Sequence, residues 1–110
     1  EQGILNIKEG VEYAGSVDMY RMAIKFFRDT IDAKSDEIRR YFDNEDWENY
    51  RTKVHGLKSS AKVIGARELS DRAKALELAA NDKDYEFIRE NTGGLLAFFG
   101  TYKDKLKGVE

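Results

Sequence analysis

No proline interrupts this chain, and apolar residues recur at spacings of three and four along almost its whole length. That period marks amphipathic helices, and without proline nothing forces a helix interior to break. Lys, Glu, Leu, Ala and Arg, all good helix formers, are plentiful, which favours long helices over strands and turns. The fold class expected is therefore all-α.

Local signals place the helix ends. Asn6 with Glu9 three residues later reads as a capping box and Gly15 as a stop, predicting a short helix over 7–14. Ser16 can cap a long second helix that carries Tyr20, Ile24, Phe27, Ile31, Ile38 and Phe42 inward, with a kink near Ala33–Ser35. Asn44 or Asp46 opens a third helix, closed by Gly65. A fourth runs from Arg67 to near Asn81, and Asp84 caps a fifth that reaches about Leu106. Gly93 and Gly94 fall inside the fifth, each at roughly 1 kcal/mol relative to alanine. Gly93, Ala97 and Gly100 share one face, which predicts close approach of a neighbouring helix; a hinge is the alternative. Long helices with short connections predict an antiparallel up-down-up-down four-helix bundle, with the first helix as a short N-terminal cap.

At 110 residues the chain fits one domain, 1–110, and 41% apolar residues suffice for one core held by packing alone. With no cysteine there is no disulfide framework, no thiolate nucleophile and no cysteine-ligated metal. The net charge of -2 argues against general nucleic-acid affinity. No apolar run approaches the ~20 residues of a membrane span, and no signal-like segment follows a basic start. A soluble, cytoplasmic protein without membrane contact is expected. It should be a monomer, because no large apolar surface stripe calls for a dimer. The first residue is Glu1 rather than Met, as in a piece of a longer protein.

The chemistry concentrates at His55, the one histidine, in the run Val54-His55-Gly56-Leu57-Lys58-Ser59-Ser60-Ala61 of the third helix. Trp47, Tyr50, Val54, Leu57, Ala61 and Ile64 form a single apolar stripe on a helical wheel, and His55 lies about 130° from its centre. The imidazole should therefore face solvent rather than the core. Alone it would pass for an ordinary surface histidine. Its neighbours weigh against that: Arg51, Lys58 and Lys62 flank it on the side nearer the core and Ser59 on the other. These cations can offset the charge of an attached phosphoryl group, where a merely solvated basic face is the alternative. Gly56 is expensive within a helix but leaves open surface for a partner. In an antiparallel pair reversing at Gly65–Ala66, the residue opposite His55 is Leu76 or Glu77. Glu77 lies beside its own apolar stripe of Leu69, Ala73, Leu76 and Ala80, so it can accept a hydrogen bond from Nδ1–H and leave Nε2 as the attacking atom. No glycine-rich phosphate loop is visible, and a single histidine without cysteine makes a metal cluster improbable.

The stretch His55-Gly56-Leu57-Lys58-Ser59-Ser60-Ala61 through Gly65-Ala66, followed by Leu69, Ala73, Leu76 and Glu77, resembles the histidine phosphotransfer (HPt) family. Ile7 to Phe27 also resemble that family's amino-terminal helix pair, so the likeness covers nearly the whole chain. It implies that His55 accepts a phosphoryl group from a receiver-domain phosphoaspartate and passes it to a response-regulator aspartate. Lys58 would help hold the group, and Glu77 would orient the imidazole. Arg51, Gly56, Ser59 and Lys62 would contact the partner receiver. No cofactor is implied for this chain, since the Mg2+ would sit on the receiver. Ser59 departs from the family's usual glycine, which bears on partner fit. Two other roles stay open: a receiver-docking bundle that is not phosphorylated, and the phosphoryl-accepting domain of a chemotaxis-type kinase.

Overall fold

Four of the helices begin where a short polar side chain satisfies a free backbone N–H. A computed structural model describes residues 5–107. Asn6 accepts from the Glu9 N–H at 3.0 Å and opens α1 (Ile7–Ala14); Gly15, at φ 97°, ends it. Ser16 accepts from Met19 at 3.1 Å and opens α2 (Val17–Asp29). After α3 (Ile31–Asp43), Asp46 caps α4 (Trp47–Val63). Arg67–Asn81 form α5, Asp84 caps α6 (Tyr85–Gly100), and α7 (Tyr102–Lys105) is a last turn. Every regular element among the described residues is helical, and none is long and apolar enough to cross a membrane. The outermost residues of the expected domain, 1–4 and 108–110, lie outside the described residues.

Two expected helices are divided, each at a threonine. The long second helix does not bend near Ala33–Ser35; it ends at Asp29, and α3 starts afresh at Ile31. The Thr30 hydroxyl donates back to the carbonyls of Phe26 at 3.0 Å and Phe27 at 3.1 Å. The Thr30 N–H is shared between the same two carbonyls at 3.2 Å each, so the last turn of α2 tightens toward 3-10 geometry where the helix ends. Thr101 repeats the pattern, its hydroxyl donating to the Phe98 carbonyl at 2.6 Å and its N–H shared between Ala97 and Phe98, and the fifth helix stops at Gly100 instead of reaching Leu106. Gly93 and Gly94 mark neither a hinge nor a close helix crossing. Both are exposed within an unbroken α6, and a Cβ on either would meet nothing within 4 Å.

Packing follows the apolar stripes. Helix α3 packs on α4 and α6, and α5 on α4 and α6, while α1 rests on α2 and α4. Ile24, Ile31, Ile38, Tyr50, Leu57, Leu69, Ile88 and Phe99 are almost wholly buried. At ~1.5–3 kcal/mol for each fully buried large apolar side chain, this core dominates the stability. Tyr50 of α4 donates to Thr92 Oγ1 of α6, which in turn donates to the Ile88 carbonyl at 2.8 Å. Burial pushes the Tyr50 phenol up to about 12. Burial of apolar side chains is less complete than expected, and an apolar stripe lies at the surface. Met19, Met22 and Phe26, three and four residues apart on α2, are 52%, 64% and 66% exposed.

The turn between α4 and α5 is tightly packed against the start of α1. Gly65 sits at φ 83°, and the Asn6 N–H donates to its carbonyl at 2.7 Å. A Cβ there would collide with the Asn6 backbone. Gly65→Ala should therefore lower unfolding free energy by about 2–4 kcal/mol, combining left-handed strain with overpacking. Gly93→Ala and Gly94→Ala should each raise it by about 0.5–1 kcal/mol, since alanine fits an open helical site. Urea unfolding of the three variants checks both signs.

Candidate functional site

The middle of α4 presents His55 to solvent because its buried residues, Tyr50, Val54, Leu57 and Ala61, all lie on another side of the helix. The imidazole is 53% exposed. Small residues along the α4–α5 contact, Ala61, Ala66 and Ala73, are fully buried, so these helices lie close together. Ser70 adds a brace, its hydroxyl donating to the Lys58 carbonyl at 2.9 Å. Ser70 is not recognisable from sequence as part of this arrangement; its only mark is a small polar residue beside the apolar stripe of α5.

That close packing brings Glu77 against the imidazole. His55 Nδ1 and Glu77 Oε2 are 2.7 Å apart. An ionised carboxylate offers only lone pairs, so Nδ1 carries the proton and donates it. Nε2 is then the nitrogen whose lone pair is free. The second carboxylate oxygen, Oε1, accepts from Lys58 Nζ at 2.8 Å. Glu77 is thus shared between ring and ammonium, one oxygen each, with only 13% of its side chain exposed. Burial raises the Glu77 carboxyl, but its hydrogen bonds to Lys58 and His55 outweigh that and hold it below the usual carboxylate range.

The other residues singled out in the sequence surround this group without joining it. Arg51 is half-buried one turn earlier on α4. Lys62 is exposed and lies over the Tyr13 ring of α1, 5.9 Å from its centroid. Ser59 lines an open cleft with Lys58, Lys62, Ser70 and Lys74. Gly56 is exposed next to His55, and a Cβ there would meet nothing within 4 Å. No packing demand of the fold calls for glycine at that position. Among the described residues no three His, Asp or Glu side chains are grouped to hold a metal ion.

A model of the Hpt domain family matches residues 23–99, well over half the chain, from within α2 to the end of α6. No curated protein and no solved structure matches it.

The lowered Glu77 carboxyl has a consequence for stability. A group whose pKa is depressed on folding stabilises the native state above its unfolded value, and that contribution fades as pH falls through the native value. Stability should drop as pH falls from about 4.3, the ordinary glutamate value, downward. In Glu77→Gln the loss between about pH 5 and about pH 3 should be smaller than in wild type. Denaturant titrations at both pH values measure it; equal losses would mean that Lys58 and His55 do not hold the carboxylate in solution.

Proposed function

Since this chain belongs to the Hpt domain family, which serves phosphotransfer in two-component signalling with receiver domains as partners, we propose that it carries a phosphoryl group on Nε2 of His55. The observation that carries this reading is the 2.7 Å contact from His55 Nδ1 to Glu77 on an otherwise exposed imidazole. The ring is held by one nitrogen and open at the other.

In the accepting step the Nε2 lone pair attacks the phosphorus of a receiver phosphoaspartate. The N–P bond forms as the P–O bond to the aspartate breaks, and the aspartate leaves as a carboxylate. The ring keeps its Nδ1 proton, so it gains positive charge as it takes the phosphoryl group, and Glu77 lies where that charge develops. A second receiver aspartate reverses the same sequence. Phosphoryl transfer depends largely on positioning and charge stabilisation, so an oriented imidazole on a rigid helix is a sufficient contribution from this side. The Mg2+ for the reaction would belong to the receiver, and the relay would operate in the cytoplasm.

Lys58 has a second partner available in this scheme. Its ammonium neutralises Glu77 in the unmodified protein and can turn to the phosphoryl oxygens once they are in place. Arg51, Ser59 and Lys62 would meet the receiver around the ring, with open surface at Gly56. The helices α3 to α6 would run up-down-up-down with α1 as a cap. Their closed ring of pairwise packing supports that arrangement, as do three-residue connections at 44–46, 64–66 and 82–84.

Incubation with a labelled phosphoreceiver tests the reading. The label on this chain should be acid-labile and base-stable, and it should vanish in His55→Gln. Binding without any transfer would reduce the protein to a docking module. Glu77→Ala should keep the helical fold yet slow transfer by about 1 kcal/mol, roughly fivefold, for the loss of one charged hydrogen bond. Unchanged rates would remove Glu77 from the mechanism.

A further inference from the structure

Two shallow apolar grooves meet at Lys34 on α3. Ile38, Leu57 and Gly56 line one; Ala23, Phe26 and Val63 line the other; Lys34 and Ser60 border both. The half-buried Lys34 ammonium reaches Ser60 Oγ at 3.4 Å and stands 5.9 Å from the centre of the Phe26 ring. Among the described residues no carboxylate forms an ion pair with it. The acidic side chain in its groove, Glu37, is engaged by Lys53 at 3.1 Å. Burial pulls the Lys34 ammonium below its usual pKa and Lys53 adds to this, with Glu37 acting in the opposite sense.

A half-buried cation held by a hydroxyl and an aromatic face, with its nearby carboxylate Glu37 already paired to Lys53, is only partly compensated for its desolvation. Its surroundings are apolar and open, with Phe26 66% and Val63 38% exposed, and Met22, one turn before Phe26 on α2, is 64% exposed. The surface is also continuous with the site, because Gly56, next to His55, lines the first groove. A partner that covers this face would remove the remaining water from Lys34. With Glu37 committed to Lys53, a carboxylate on the partner would offset that charge and a partner without one would be disfavoured, which is a basis for rejecting wrong partners.

Resting on the phosphotransfer reading, we propose that Lys34 is a specificity-determining contact for the docked receiver, pairing with one carboxylate set among apolar side chains that cover Met22, Phe26 and Val63. Among the described residues Lys34 has no hydrogen bond or ion pair to His55, Lys58 or Glu77, so it governs which receiver binds and not how fast phosphorus moves.

The test starts from a receiver of the same genome that labels His55 in transfer profiling. Its Kd for wild type, Lys34→Glu and Lys34→Met is measured by calorimetry, together with the dependence of transfer on receiver concentration. Lys34→Met keeps an apolar stem in the groove, so it guards against misfolding of the charge reversal. Lys34→Glu should raise both the Kd and the half-saturating concentration by about tenfold or more, with a smaller rise for Lys34→Met and an unchanged rate at saturation. Exchanging the facing receiver carboxylate for lysine should restore binding to Lys34→Glu. Unchanged Kd in both variants while His55 is still labelled would overturn this proposal and leave the phosphotransfer reading standing. Failure of every receiver to label His55 would remove that reading and this inference with it. Loss of binding to anionic vesicles in Lys34→Glu, with receiver affinity unchanged, would assign the face to a membrane and overturn it too.

Discussion

Gly65 takes a left-handed backbone conformation, at φ 83°, while the Asn6 N–H donates to its carbonyl and the Tyr20 hydroxyl donates to the carbonyl of Ile64 just before it. Three segments of the chain are joined at that one reversal: the entry to α1, the buried face of α2, and the α4–α5 hairpin. The reversal fixes the register of α5 along α4. Register in turn decides which residue of α5 faces His55, and a one-residue slip would put Leu76 or Leu78 where Glu77 stands. Glycine is needed there for two separate reasons, since a side chain would be strained by the φ and would strike the Asn6 backbone.

The charges of the site contribute little to holding the fold. Partly exposed ion pairs are worth ~0–1 kcal/mol each, against ~1.5–3 kcal/mol for one fully buried large apolar side chain. The Lys58–Glu77–His55 group is therefore carried by a core that does not depend on it. That independence lets an imidazole stay exposed and a carboxylate stay ionised on a rigid support. Ser70 and the alanines of the α4–α5 contact connect core and site, because they set how near the two backbones come.

Much of this was legible along the chain, and the rest failed for identifiable reasons. Asn6, Ser16, Asp46 and Asp84 act as caps where short polar residues precede apolar periods, because capping is local. Thr30 and Thr101 were not recognised as breaks. Thr52 and Thr92 also bond back to their own helices without ending them, so a threonine is no stop signal by itself, and the spacing of apolar residues is the same in both cases. Gly93 and Gly94 suggested a close crossing because their face is small, yet the face looks outward. The exposed stripe of Met19, Met22 and Phe26 was missed for a related reason. Both faces of α2 carry large apolar residues; the period assigned Tyr20, Ile24 and Phe27 inward, as found, but does not show whether the second face is covered.

The sequence by itself determined the helical class, most helix ends and the outward position of His55, because each follows from periodicity or from contacts within a few residues. Tertiary structure alone decided how Glu77 divides its two oxygens between His55 and Lys58, and how Lys34 comes to lie between two grooves while the carboxylate beside it, Glu37, pairs with Lys53. Those outcomes depend on distances between helices, and such distances are set by how whole faces pack, which no local spacing encodes.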